Sequence, residues 1–404
     1  MPSSTTSRVK ATPLLEPDLS DPWVAKAAEL RQAFHADAVS RDQAGGRPLA
    51  QVRLLRESGL PAARIGAAWG GGGASWRSVL RVVREFAKTD GSLAHLYGYH
   101  HLPLHAVIAR GTPTQRDRLL RASVEAQWLW GNSGNAMSPT SSARRDGGAW
   151  VVDGFRPFSS GSHVADRLLI GWENEAGQRL AAVIPADRTG VIIEDDWDGI
   201  GQRQTGSGTV RFKAVRVSDD ELLGQPGDRL TPFSSITTLL QQSVLLNVFL
   251  GGALGALVEA RDYTNTRSRP WIHSGVEKHT DDPWVQRKYG ELVIRALAAT
   301  ELAEDAAEQL DAAYAQGQDL SEARRGEAAI AIATANLYAG EVSLAVSSEI
   351  FEVMGARSAT TSNGFDRFWR NTRTHTLHNP AEYKKRLLGQ WLLTGAPPEP
   401  ALYR

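Results

Sequence analysis

Histidine, not cysteine, is the side chain through which this sequence can move protons. Cysteine is absent, which excludes disulfides, thiolate metal sites and a cysteine nucleophile, while ten histidines are present. Imidazole titrates near neutrality, so a histidine held against a reacting atom can give or accept a proton. His95 and Tyr99 are four residues apart and would share one helix face. His101 and His105 have the spacing of a metal pair, yet no Glu-bearing signature or cysteine joins them, so no metal site is expected. With His100 they read as core residues. Asp281-Asp282 precedes Pro283 and reads as a helix cap, not a catalytic carboxylate pair. The run Trp69-Gly-Gly-Gly-Gly73 lacks a following Gly-Lys-Ser/Thr and a preceding strand, so it is not a phosphate loop.

The elements that must position these groups belong to an ordinary globular chain. Its 404 residues are 42% hydrophobic and 22% charged, enough for two or three core-bearing units. With 45 basic and 45 acidic side chains the net charge is zero, so neither a nucleic-acid nor an anionic-membrane footprint is expected, and any anion site must be local. Met1 to Glu16 has no apolar core of signal-peptide length, and no run of about 18 apolar residues is expected to span a membrane. The cytoplasm is the expected compartment. No dinucleotide fingerprint occurs, so nicotinamide reduction belongs to another protein.

Residues 1–20 read as a disordered lead-in. From 21 to 130 apolar positions recur at helical spacing, as in Val79, Val82, Val83 and Phe86 and in Leu102, Val107 and Ile108. Between 131 and 228 the period becomes two from Gly147 onward, with short strands at Trp150-Val-Val, Leu168-Leu-Ile, Ala181-Ala-Val-Ile184, Val191-Ile-Ile and Val210-Arg-Phe-Lys213. From 229 to 404 helical spacing returns, and an alanine-rich face through Ala296, Ala299, Ala303 and Ala306 suits a close-packed bundle. The class is α+β.

Four motifs in this order resemble the acyl-CoA dehydrogenases: Gly154-Phe-Arg-Pro-Phe-Ser-Ser-Gly161, Tyr263-Thr-Asn-Thr-Arg267-Ser-Arg269, Phe351-Glu-Val-Met-Gly-Ala-Arg357 and Arg370-Asn-Thr-Arg-Thr-His-Thr-Leu-His-Asn-Pro380. The resemblance implies an N-terminal helical domain, a barrel-like middle β domain and a C-terminal four-helix bundle. In the last motif His378 stands where that family has Tyr, and Asn379 where it has the catalytic Glu. A neutral amide cannot abstract a proton, so the scaffold is kept and its chemistry changed. Gly91-Ser-Leu-Ala-His-Leu-Tyr-Gly-Tyr-His100, Asp195-Asp-Trp-Asp-Gly-Ile-Gly-Gln-Arg-Gln-Thr205, Arg269-Pro-Trp271 and Gly364 to His378 resemble the flavin-dependent monooxygenases of this fold that act on dibenzothiophene or methanesulfinate.

That narrower resemblance implies residue roles. His95 and Tyr99 form one wall, Asn132 and Ser160 meet the flavin ring edge, Trp197 covers the ring or floors the pocket, and Arg269 and Arg357 hold the phosphate. His378, with His95 and Ser160, would serve a C4a-hydroperoxide, and Trp128, Trp130 and His105 would line the substrate side. Arg269 in place of the family's Gln favours reduced FMN, with FAD compatible; O2 is the co-substrate. Reduced flavin would come from a separate NAD(P)H-dependent reductase, and a homotetramer built through the bundle would let Arg269 reach a neighbour's site. The expected reaction is S-oxygenation of a small organosulfur compound, with indole-like or phenolic hydroxylation and N-oxygenation as alternatives. A true dehydrogenase with Glu382 as displaced base is the distant one.

Overall fold

The structure, a computed structural model, describes residues 15–134, 138 and 140–401. Most of the expected lead-in therefore lies outside the described residues. Its last part is not loose: Leu15 packs on the core, Lys88 Nζ donates to the Leu15 carbonyl at 3.1 Å, and Arg81 meets Asp18 at 2.9 Å.

Six helices come first: α1 (Pro22–His35), α2 (Ala38–Ala44), α3 (Leu49–Glu57), α4 (Trp76–Ala87), α5 (Gly91–Arg110) and α6 (Pro113–Glu125). Each long one starts at a side-chain cap that satisfies otherwise orphaned amides, among them Ser75 for α4, Asp90 for α5 and a Thr112–Gln115 capping box for α6. The Gly72 and Gly73 amides donate to Ala62 and Ile65 within their own loop, so the glycine run is a packed connection.

Among the described residues seven strands form one sheet: β1 (Trp130–Ser133), β2 (Ser141–Asp146), β3 (Ala149–Arg156), β4 (Arg167–Glu173), β5 (Arg179–Pro185), β6 (Val191–Ile193) and β7 (Val210–Ser218). The order is β1-β4-β2-β3-β7-β6, with β5 antiparallel to β4 and β1 parallel to it. Sequence period identified β3 to β7 but not β1 or β2. β2 reads Ser-Ser-Ala-Arg-Arg-Asp, and what makes it a strand is the tight turn at Gly147, φ +60°, which folds it back on β3 from Asp146↔Ala149 to Ser141↔Gly154.

The bundle comprises α7 (Ile236–Thr266), α8 (Pro283–Tyr314), α9 (Glu322–Met354), α10 (Asp366–Thr376) and α11 (Ala381–Thr394). Asp282 caps α8, its carboxylate accepting from the Trp284 amide at 2.9 Å. α7 is the central helix, buried nearly all round. A Cβ at Gly251 or Gly255 would lie 2.3 Å from the Arg84 carbonyl or 2.0 Å from that of Lys88, so glycine is what lets α7 cross α4 backbone to backbone. α7 and α9 are long and apolar enough to cross a membrane by length and composition; both are core helices, and 89% of the most apolar stretch of α7 is buried. α11 buries none of its residues in the single chain and exposes Tyr383, Leu392 and Leu393.

Candidate active site

α5 is set by its N-cap: Asp90 accepts from the Leu93 amide at 2.9 Å and from Arg41 Nη1 at 2.5 Å, and the same Arg41 nitrogen donates to Gln204 Oε1 at 2.8 Å. One turn in, His95 and Tyr99 stack ring on ring at 3.9 Å between centroids. The other face of His95 stacks on His375 of α10 at 4.5 Å. Tyr99 Oη lies 3.5 Å from His378 Nε2 in the turn after α10. The expected residues His95, Tyr99 and His378 are thus brought together, with His375 as a fourth member.

Burial governs the charge of this group. Dehydration, then the proximity of His378, pushes His95 down to about 3. His375 lies well below the ordinary imidazole value for the same first reason, with His95 and His378 adding to it. His378 is also lowered, by dehydration and then by Lys384, against a hydrogen bond with Asn379. Its outer side remains open to solvent in the single chain. All three imidazoles are neutral near pH 7. The His95 ring nitrogens and His375 Nδ1 have no partner among the described residues, leaving buried polar atoms for a ligand or water.

A hydrogen-bonded file runs from the sheet to α10. Ser160 Oγ meets Ser207 Oγ at 2.8 Å, which meets Thr205 Oγ1 at 2.8 Å, which donates to the Gln202 carbonyl at 2.9 Å. Trp197 Nε1 donates to the same carbonyl at 2.8 Å. Gln202 is then bonded to Asn371 of α10, and the Gly201 amide donates to Thr374 Oγ1 at 3.1 Å. A Cβ on Gly201 would sit 2.2 Å from the Arg370 carbonyl, so this loop rests directly on the helix. The Asn132 amide donates to the Ser160 carbonyl at 3.1 Å, and Asn132 Oδ1 accepts from Gly134 at 3.0 Å. Phe158 and Gln202 both hold φ near +56°, uncommon for such residues and a sign of backbone held in place by its surroundings. Phe158 is 63% exposed and edge-on to Trp197, forming an aromatic platform beside Ser160.

Two cavities follow one face of α7. The first, about 350 Å³, lies at Thr237, Thr238 and Gln241 and is walled by Asn132 of β1, Leu169 of β4 and Arg110 of α5. The second, about 180 Å³, lies at Leu245 and Phe249 and contains His375, Asn379 and Lys384.

The expected substrate-side residues line neither cavity. His105 is buried against Phe233 with Nδ1 3.2 Å from Tyr314 Oη; Trp130 is buried, with Nε1 donating to Ser123 Oγ at 3.1 Å; Trp128 lies beneath the Arg167 guanidinium at 3.8 Å. Each is held by packing, and the cavity wall is supplied by β4, β5 and α7 instead. Arg269 and Arg357 are exposed, their segments joined by Ser268 Oγ donating to the Met354 carbonyl at 2.8 Å, and neither lines either of these two cavities. Glu382 points outward, 82% exposed and 3.1 Å from Lys385. Sequence reasoning missed His375, Phe158 and Lys384. The i, i+3 spacing of His375 and His378 was the available signal for the first.

Comparison with known proteins identifies the family. Residues 23–127 match the family described as Acyl-CoA dehydrogenase, N-terminal domain, and residues 244–382 that described as Acyl-CoA dehydrogenase, C-terminal domain. The chain is 42% identical to the probable FMNH2-dependent monooxygenase SfnC of Pseudomonas putida, over 95% of this chain and 97% of that one. It superposes on methanesulfinate monooxygenase MsuC of Pseudomonas fluorescens with a TM-score of 0.92 and 40% identity, covering 98% and 100% of the two chains. For dibenzothiophene monooxygenase TdsC of Paenibacillus sp. A11-2, in complex with FMN and indole, the TM-score is 0.89 at 37% identity, covering 95% and 100%. The chain belongs to the acyl-CoA dehydrogenase family. Within it, this is a flavin-dependent monooxygenase of sulfur metabolism that uses reduced FMN and O2.

The residues present fit FMN. An aromatic platform at Phe158 and Trp197, the Ser160 hydroxyl, the Asn132 amide and buried imidazole nitrogens suit a planar polar ring.

Proposed function

We propose that this enzyme is the oxygenase half of a two-component system, receiving reduced FMN from a separate NAD(P)H-dependent reductase and S-oxygenating a small organosulfur anion of the alkanesulfinate type. The observation that carries the substrate class is the wall of the first cavity: Arg110, Arg156, Arg179 and Arg229 contribute to it against one carboxylate, Asp228, while Leu169 and Trp172 supply an apolar patch. Cationic groups beside a short apolar surface suit a small alkyl chain ending in an oxyanion. A fused aromatic sulfide is the second reading, favoured by the apolar share of that wall.

Reduced FMN supplies two electrons and the carbon at which O2 is activated. The chain does the rest. Ser160 and Asn132 hold the ring edge, Tyr99 orients His378 through its hydroxyl, and His95 fills the wall behind Tyr99. His378 passes a proton at Nε2, and the buried stack keeps water from the reacting edge. Arg269 and Arg357 pair with the phosphate of FMN bound to a neighbouring subunit in a homotetramer, since both are exposed and line neither of the two cavities described. The decisive experiment is product mass after incubation with reduced FMN, 18O2 and methanesulfinate, dibenzothiophene or indole. One label in methanesulfonate supports the reading, label confined to dibenzothiophene selects the second, and label only in indole overturns S-oxygenation.

A further inference from the structure

A monooxygenase cycle begun by the reduced flavin anion consumes one proton. Anion, O2, substrate and one proton give oxidised flavin, substrate bearing one oxygen atom, and water; the two electrons come from the flavin, and the proton leaves in the water. Every imidazole of the active site is neutral near pH 7, so none of them is a stored source of that proton. A cationic acid behind them would hold that proton ready.

We propose that Lys384, in the first turn of α11, is that acid, and that it delivers protons through water in the 180 Å³ cavity to His375, which lines it, and past that wall to His378. The geometry converges on it. Asn336 Nδ2 donates to the Gln242 carbonyl at 2.8 Å, which fixes the amide so that Oδ1 faces Lys384 Nζ at 2.5 Å. Lys384 and His375 share the cavity wall, and the buried His375 Nδ1 has no partner among the described residues. The volume holds several waters, at about 30 Å³ each. The Lys384 charge reaches His378, where it is the second cause of that group's lowered pKa.

The other charges around Lys384 are few. Arg373 of α10 lines the cavity; Glu341 of α9 also lines it but meets Lys385 at 3.5 Å; Glu382 meets Lys385 as well; α7 presents only Leu245 and Phe249. Dehydration, with no carboxylate to oppose it, pushes Lys384 down to about 8, where it holds a proton at pH 7 and can release it. A neutral imidazole that takes a proton on one nitrogen and gives one from the other completes the path. Lys384 touches neither substrate nor flavin in this scheme; it acts through the histidines.

The inference rests on reduced flavin as the oxygen-activating partner, and its first test does not. Competitive acetylation of the full-length wild-type protein across pH, read by peptide mass, should show Lys384 titrating about two pH units below the exposed lysines. Titration with the exposed lysines overturns the proposal. In protein with 15N-labelled histidine, Lys384→Met should raise the pKa of His378, because a cation is removed; an unchanged pKa also overturns it. With reduced FMN and substrate, wild-type coupling of O2 to product should fall as pH rises through about 8. Lys384→Met should be poorly coupled at every pH, with peroxide rising about tenfold or more. Lys384→Arg, which keeps charge but does not release its proton, should fold like wild type and couple no better than Lys384→Met. Normal coupling in both variants, or a loss of FMN affinity alone, would show Lys384 to be an anion contact or a packing residue.

Discussion

Gln202 and Asn371 are joined twice: the Gln202 amide donates to Asn371 Oδ1 at 2.6 Å, and its side-chain nitrogen donates to the Asn371 carbonyl at 3.3 Å. Asn371 stands one helical turn before His375, so this pair registers the histidine-bearing helix against the loop that carries Trp197. Asn371→Ala should leave the buried Gln202 amide without an acceptor and lower stability by about 1–3 kcal/mol. It should also misplace His375 and His378. Thermal unfolding and the ratio of peroxide to product test both effects; a variant as stable and as well coupled as wild type would show the register to be set elsewhere.

Arg269→Ala should weaken reduced-FMN binding by about 2 kcal/mol, the scale of losing a charge-assisted hydrogen bond to phosphate. Substrate affinity should change less. Anaerobic equilibrium dialysis measures the first and turnover kinetics the second. Unaltered FMN affinity, or light scattering that shows an active monomer, removes the assignment of this arginine to a neighbour's site.

Acid should destabilise the fold well above the carboxylate range. His95, His100 and His105 are dehydrated and pushed down to about 3, 4 and 3, whereas an unfolded chain protonates histidine near its ordinary value. The unfolded state binds the extra protons, so stability falls as pH drops below about 6.5 and continues to fall toward 4. Each residue should contribute about 1.4 kcal/mol of that loss by pH 5.5. Urea midpoints at pH 7.5 and 5.5 give the measurement, and equal midpoints would mean that these rings are not dry.

Asn379→Glu should not produce an acyl-CoA dehydrogenase. A carboxylate alone lacks the oxyanion donors a thioester enolate needs, and the space beside His375 holds Lys384 instead. Anaerobic bleaching of bound FAD or FMN by butyryl-CoA in the variant would contradict this.

The parts of the fold that follow from hydrophobic period were legible in the sequence. β3 carries Trp150-Val-Val with an inward face, and α8 its alanine stripe, because each residue there is chosen by burial. β2 was not legible, since its charged residues face solvent and only its partner and turn make it a strand. In the site, resemblance placed His95, Tyr99 and His378 near one another. It did not reveal that His375 would be inserted between α5 and the second cavity, a contact made by helix packing across 280 residues of chain, 375 − 95. Lys384 escaped notice for a related reason: a lysine four residues into an exposed helix looks like surface until Asn336 is seen opposite it.

The two cavities share no lining residue, although both follow α7. On the proposed assignments, what enters as substrate and what enters as proton are decided by different side chains. Exchanging Leu169, Trp172 or Thr238 to accept a bulkier sulfur compound would leave the Lys384 side as it is. If those assignments hold, a library confined to the first cavity should redraw the substrate range of this oxygenase while its oxygen economy stays that of the parent.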